Sequence, residues 1–363
     1  MRYTPLYEWH IKNNAKMVEF HNWVMPIYYD SIIKEHLAVR ENVGMFDISH
    51  MGRIRVSGPD RLNFINYIIT NDIENAPDNC LKYSVICNEQ GGIIDDITVF
   101  RSYDYLLVVT NACNTEGVLL WLIKHKDEFN VTIEDKTNSL FMISIQGPNA
   151  EKVLQKLCNL NLSLIKYHYL DIGRICNTKS LISRSGYTGE DGFELIFGSI
   201  FAEEIWEALL NAGAEYQIKP IGLGARDTLR IEACLPLYGN ELDINITPLE
   251  ADLKWVVIFK EKKFIGIDAL IATSNSEFER RLIAFEMIDK SVPRNGYRIF
   301  KKENLIGKVT SGTYSPILKK NIGMGYIERY YAQIGNQIDI DVIDSLHKAV
   351  IVEKPFVKRG SKK

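Results

Sequence analysis

The chain has little that would commit it to a membrane, a metal or a nucleic acid. Its opening residues, Met-Arg-Tyr-Thr-Pro-Leu-Tyr-Glu-Trp-His, hold no apolar signal block, and an Arg- and Ser-rich transit segment is missing. No apolar run is long enough to span a bilayer, so no membrane association is expected and the cytoplasm is the expected location. The six cysteines (Cys80, Cys87, Cys113, Cys158, Cys176, Cys234) form no CxxC pair and no zinc-like spacing. They read as small buried residues in a reducing compartment, and no metal is expected. A net charge of -3 argues against a general nucleic-acid binder.

What is present is a large apolar fraction and a change of pattern. With 363 residues, 46% of them hydrophobic, the chain can bury a large core and form two or three domains. Charge is uneven: from Arg281 onward there are 16 Lys plus Arg against 8 Asp plus Glu. A solvated basic face accounts for that, as does attraction to an acidic partner or a polyanionic tail.

An internal repeat stands out. Ile54-Arg55-Val56-Ser57-Gly58-Pro59-Asp60 precedes the helical spacing of Leu62, Phe64, Ile65, Ile68 and Ile69. Ile143-Ser144-Ile145-Gln146-Gly147-Pro148-Asn149 precedes Val153, Leu154 and Leu157 in the same way. Each unit is an alternating strand, a Gly-Pro-Asx turn and an amphipathic helix, the pieces of an antiparallel α+β lobe. Two copies predict two similar lobes. Further helices are expected over 31–43, 115–126, 201–212 and 222–233. Past Arg281, short alternating segments separated by Gly, Asn, Pro and Asp predict a closing β-barrel or sandwich. Ala272 to Glu279, rich in Ser, Asn and Thr, reads as the linker.

Three stretches can carry chemistry. In Gly91-Gly92-Ile93-Ile94-Asp95-Asp96-Ile97-Thr98-Val99, two acids sit side by side in a strand-forming run. Adjacent strand residues point to opposite faces, so the two are expected in different environments. One reaches solvent or caps a turn, and the other faces packed side chains, where a carboxylate needs a partner. The run alone does not say which. Arg184 to Leu195 has three glycines in seven residues before a strand holding Glu194, and fits neither a dinucleotide fingerprint nor a phosphate loop. A plain turn would also explain it. In Gly222 to Glu232, Arg226 and Arg230 lie one helical turn apart beside Asp227, a spacing that surface ion pairing also satisfies.

Together with Thr4-Pro5-Leu6-Tyr7, Phe46-Asp47-Ile48-Ser49-His50-Met51, Leu237-Tyr238-Gly239-Asn240 and Ser315 to Tyr326, these motifs form an ordered series. From Thr4 to about Val357 the chain closely resembles the T-protein family of the glycine cleavage system, aminomethyltransferases dependent on tetrahydrofolate. The resemblance implies an α+β cloverleaf of three lobes around a central folate channel. Residues 1–275 would be two similar antiparallel, ferredoxin-like lobes, and 276–363 a C-terminal β-barrel. It also implies a partner, the lipoylated H-protein, whose lipoyl arm carries the aminomethyl group.

The family's functional aspartate matches Asp96, expected to be ionised, orienting the folate first and acting as base second. Glu194 matches the pterin-recognising acid and Arg226 a folate contact. Tyr83, Tyr187 and Tyr238 are candidates for the wall of the folate slot, Met51 for its lining, and Arg359 for a C-terminal contact. Folate-dependent demethylases of the same superfamily are the nearest alternative, against which the Gly186 to Glu194 stretch argues. Folate-binding accessory proteins of iron–sulfur maturation carry a Lys-Gly-Cys-Tyr-type motif, which this sequence lacks.

Overall fold

The computed structural model describes residues 1–260, 262–275 and 279–358. The two repeat units occupy matching places in two sheets. Gly52–Ser57 leads into the helix Arg61–Ile68, and Leu140–Gln146 leads into Ala150–Gln155. Each turn glycine has a left-handed backbone, φ 111° at Gly58 and 124° at Gly147, which an L side chain rarely adopts. A side chain would also strike backbone, Asn130 O at the first and Val39 O and Asn42 O at the second. The backbone bonds repeat as well: Arg61 N–H to Gly58 O and Phe64 N–H to Asp60 O, then Ala150 N–H to Gly147 O and Val153 N–H to Asn149 O.

The first sheet runs, in spatial order, Cys80–Cys87, Ile93–Arg101, Tyr105–Thr110, Gly52–Ser57 and Thr132–Asp135, antiparallel throughout. One face packs on Phe64, Ile65, Ile68, Val118 and Leu122 of its helices. The second sheet runs Leu170–Ile175, Thr178–Ser183, Gly192–Gly198, Leu140–Gln146, Gly44–Asp47 and Lys219–Pro220. It is antiparallel except at the last pair, where Lys219–Pro220 joins Gly44–Met45 in parallel. Its helical face is filled by Val153, Leu154, Ile205 and the wholly buried Trp206, whose burial stabilises the lobe by roughly 3 kcal/mol.

The two sheets turn their other faces toward each other. Leu81, Phe100, Leu107 and Val109 from the first meet Phe46, Ile48, Met142 and Ile196 from the second. After the helix Ile267–Asn275, six strands form a closed barrel in the order Arg280–Met287, Lys320–Glu328, Asn304–Ser315, Arg298–Lys301, Gln337–Val342 and Ser345–Val352. The three-lobed α+β architecture is therefore the expected one.

Two features differ from expectation. Ala272 to Asn275 are not linker but the last turn of a helix, where the Thr273 hydroxyl donates back to Ala269 O and satisfies itself locally. Residues 276–278 of the expected linker lie outside the described residues. The second is an unforeseen N-terminal sheet of Arg2–Tyr3, Trp23–Tyr28 and Lys16–Phe20. Its hairpin turns at His21 and Asn22, both with positive φ, the geometry whose twist matches the flanking strands.

The helix Leu223–Glu232 is the hub. Glu232 takes His36 Nε2 and Arg40 Nη2 at 3.1 and 2.9 Å and the hydroxyl of barrel Ser315. Arg230 pairs with Glu241 at 2.7 Å and Asp227 at 2.8 Å, and donates to barrel Ser311. Buried charges held this way tie the helix Ile32–Glu41 and the barrel to one element.

Candidate active site

Strand alternation sorts the paired acids. Asp95, Ile97 and Val99 lie on the face beneath the helices, whereas Asp96, Thr98 and Phe100 face the space between the lobes. Neither acid reaches open solvent: Asp95 is fully buried and Asp96 sits in a cavity wall. Nor are their environments separate, contrary to the alternation argument. Asn111, on the loop after Tyr105–Thr110, reaches both, its Nδ2 donating to Asp95 Oδ1 at 2.8 Å and Asp96 Oδ1 at 2.7 Å. Asp95 also accepts Asn114 Nδ2 at 2.7 Å and the Asn111 backbone N–H at 3.0 Å.

The other oxygen of Asp96 accepts the Tyr83 hydroxyl at 3.0 Å. Tyr83 lies on the neighbouring strand, with Val85 opposite Asp96, so its long side chain makes the diagonal same-face contact. Burial, outweighing Tyr83 and Asn111, pushes the Asp96 carboxyl up to about 6. It is ionised above that value and still able to take a proton near neutrality. Burial and then the Asp96 charge raise the Tyr83 phenol well above its usual range, so it remains a donor.

Across the cavity, Glu194 occupies Gly192–Gly198 with Phe193 and Leu195 turned into the lobe core. Its carboxylate accepts the Ser185 hydroxyl at 2.7 Å. Burial raises its pKa, opposed by Ser185 and the Arg226 charge. Arg226 emerges from the hub helix with its guanidinium 4.6 Å from the Tyr187 ring centroid and 4.0 Å from Met51 Sδ. Among the described residues no carboxylate pairs with it at ion-pair distance. That separates it from Arg230, one turn on, which is saturated by Asp227 and Glu241.

Tyr238 completes a wall, its hydroxyl bonded to Ile93 O at 3.2 Å. Asp96, Glu194, Arg226, Tyr83, Tyr187, Tyr238 and Met51 thus line one cavity of about 810 Å³, within the range of small-molecule sites. Arg359 lies outside the described residues.

Sequence reasoning missed three members of this wall, Asn111, Trp255 and His50, and also Asn114, which holds Asp95. Asn111 and Asn114 lie in the short turn between Tyr105–Thr110 and the helix Thr115–Lys124, where polar residues are common. Trp255, 63% exposed, stacks on Tyr83 with centroids 5.7 Å apart at the cavity rim. His50 was visible within Phe46 to Met51 but had no assigned task, and it lies on the wall beside Met51. A lone aromatic or imidazole carries no spacing signal, so only the fold could bring these in.

The fold and cavity define a class: a three-lobed α+β protein of two sheet-and-helix lobes and a barrel, with one cavity walled by parts of all three. The family model described as GCVT N-terminal domain matches residues 6–261. That of the glycine cleavage T-protein C-terminal barrel domain matches residues 280–358. The chain is 47% identical to the aminomethyltransferase of Caldanaerobacter subterraneus subsp. tengcongensis, over 100% of this chain and 98% of the relative. It is also 47% identical to that of Thermosipho melanesiensis, over 100% and 99%. The crystal structure of glycine cleavage system aminomethyltransferase T from Bartonella henselae superposes with a TM-score of 0.93 at 31% identity, covering 98% of each chain. The chain belongs to the glycine cleavage T-protein family and is an aminomethyltransferase.

Proposed function

We propose that the acceptor is tetrahydrofolate and the donor the aminomethyl-dihydrolipoyl arm of H-protein, in the cytoplasm, with 5,10-methylenetetrahydrofolate, ammonia and the dihydrolipoyl form of H-protein as products. The observation that carries this reading is the Asp96 carboxylate, suspended between Asn111 and Tyr83 in a wall that also presents Glu194 and Arg226. A body of residues 1–275 would supply these groups and residues 276–363 would close the site.

The residues present suit a reduced folate. One carboxylate can accept a pterin's amino group and neighbouring ring N–H together, which is the task we give Glu194. Arg226, with no carboxylate at ion-pair distance among the described residues, is available to a ligand oxygen. Tyr187, Tyr238 and Trp255 offer flat apolar surface to the pterin and aminobenzoyl rings.

When bound, tetrahydrofolate supplies the nucleophilic N5 amine. Asp96 stabilises the positive charge that develops as that amine takes up carbon, and its oxygens are fixed before the reaction begins. With a carboxyl near 6 it can also accept the proton released. Tyr83 and Asn111 hold its direction, and holding both reactants in one cavity supplies a further part of the rate. Among the described residues no group of three His, Cys, Asp or Glu could hold a metal ion, and the proposed roles require none.

The test is direct. Purified protein given tetrahydrofolate and aminomethyl-loaded H-protein should form methylenetetrahydrofolate. Product formed from dimethylglycine-like donors, or folate binding without turnover, would overturn the reading.

A further inference from the structure

His50 is a polar group of the cavity wall that the proposed reaction has not used. It is 4% exposed and flanked by Met51 and the edge of Phe20, whose ring centroid is 5.7 Å away. Among the described residues neither ring nitrogen has a hydrogen-bond partner, and Nδ1 is completely enclosed. Buried polar side chains are nearly always paired, so a bare imidazole on a cavity wall calls for an explanation. Arg226, on the same wall, is weakly engaged: its guanidinium has Met51 Sδ at 4.0 Å and the Tyr187 ring at 4.6 Å, and no carboxylate at ion-pair distance among the described residues.

The two form a unit with Glu194. The Arg226 charge acts on both His50 and Glu194, so the three groups are electrostatic neighbours. Burial, reinforced by Arg226, drives the imidazole down to about 3, so the ring is neutral and carries a single N–H. With Nδ1 enclosed and without an acceptor, that hydrogen is assigned to Nε2. The wall therefore presents an acceptor, Glu194, with two donors near it: His50, which has no acceptor among the described residues, and Arg226, whose acceptor is the weak Met51 thioether.

A pterin edge is the complement. Its amino group, ring N–H and oxo group follow one another as donor, donor, acceptor. Once Glu194 takes the first two, the oxo group falls toward its neighbours. We propose that His50 and Arg226 together donate to the 4-oxo group of the bound pterin, making His50 a binding and specificity residue of this site. The inference rests on the folate reading above, and adds to it a partner for each group along that edge.

The experiment compares the wild type with His50→Leu and His50→Gln. Tetrahydrofolate affinity is measured by calorimetry, a 4-amino-4-deoxy analogue by competition, and KM for loaded H-protein by turnover. His50→Leu should weaken tetrahydrofolate binding about tenfold, the effect of one lost hydrogen bond in a buried site. It should narrow the preference over the 4-amino analogue by a similar factor and leave KM for H-protein unchanged. His50→Gln, which keeps an N–H donor, should recover most of the loss. The proposal is overturned if affinity for both pterins falls equally, if Gln behaves like Leu, or if affinity does not move. A wild type that binds no tetrahydrofolate would instead remove the folate reading itself.

Discussion

Asp96 sits where a functional group and a stable fold want opposite things. Replacing it by Asn should preserve folding, because the amide fills the same space between Asn111 and Tyr83. Turnover should drop by about two orders of magnitude or more, as measured by methylenetetrahydrofolate formation. In the wild type, activity should rise with pH through about 6 as the carboxylate forms. The stability effect runs the other way. A carboxyl whose folded pKa is raised from 3.8 to about 6 destabilises the native state when ionised, a penalty absent below about pH 4 and complete above about pH 6. Asp96→Asn should therefore be the more stable protein at pH 8, by on the order of 1–3 kcal/mol, and should lose that advantage at pH 4. Denaturant melts at the two pH values check it. The sequence showed that two acids lay on a strand and that one would be buried. It did not show that one side chain would join the two, because the bridging residue, Asn111, lies fifteen positions downstream of Asp96 on a turn with no periodicity of its own.

The hub helix depends on a close approach at its first turn. Gly222 caps Leu223–Glu232, and a methyl group there would stand 2.4 Å from Ile27 O and 2.6 Å from Tyr28 N. Both are backbone atoms of the neighbouring strand and cannot swing aside. Gly222→Ala should push the helix away, destabilise the fold by roughly 1–3 kcal/mol and weaken folate binding by displacing Arg226. A variant with an unchanged melting temperature and unchanged folate affinity would refute this. Helix positions were legible from apolar spacing, and the repeat revealed the two lobes, since Gly-Pro-Asx turns write their geometry into residue type. The N-terminal hairpin was not legible. Lys16–Phe20 is largely exposed, so its strand has no apolar alternation strong enough to read.

At the scale of the molecule, the barrel is held by buried polar bonds as well as apolar packing. Glu241 binds Arg230 at 2.7 Å and accepts the hydroxyl of barrel Thr310, and its backbone oxygen accepts the Tyr326 hydroxyl at 2.9 Å. Removing one partner of such a pair leaves the other charge buried and alone. Glu241→Ala should cost about 3–5 kcal/mol, and the barrel should separate from the lobes earlier in unfolding, visible as loss of a single coincident transition. The basic surplus past Arg281 is less exposed to a partner than its count suggests. Arg281, Arg298, Lys320, Lys348, Lys354 and Lys358 each pair with a nearby acid. If the positive rim guides an acidic donor, kcat/KM for H-protein should fall only modestly between 50 and 300 mM salt, roughly severalfold, in a stopped-flow series.

The chamber between the lobes has a thermodynamic corollary. Its walls come from the N-terminal hairpin, both sheets, the hub helix and Lys354 and Pro355 beyond the barrel's last strand, so unfolding any one of them dismantles it. A molecule lodged there recognises only the assembled chain and acts as a non-covalent rivet across its parts. At a hundredfold excess over its dissociation constant it should add about 2.7 kcal/mol to the resistance against unfolding. Proteolytic nicks between the lobes should then be tolerated while the chamber is filled and lethal to the structure once it is emptied.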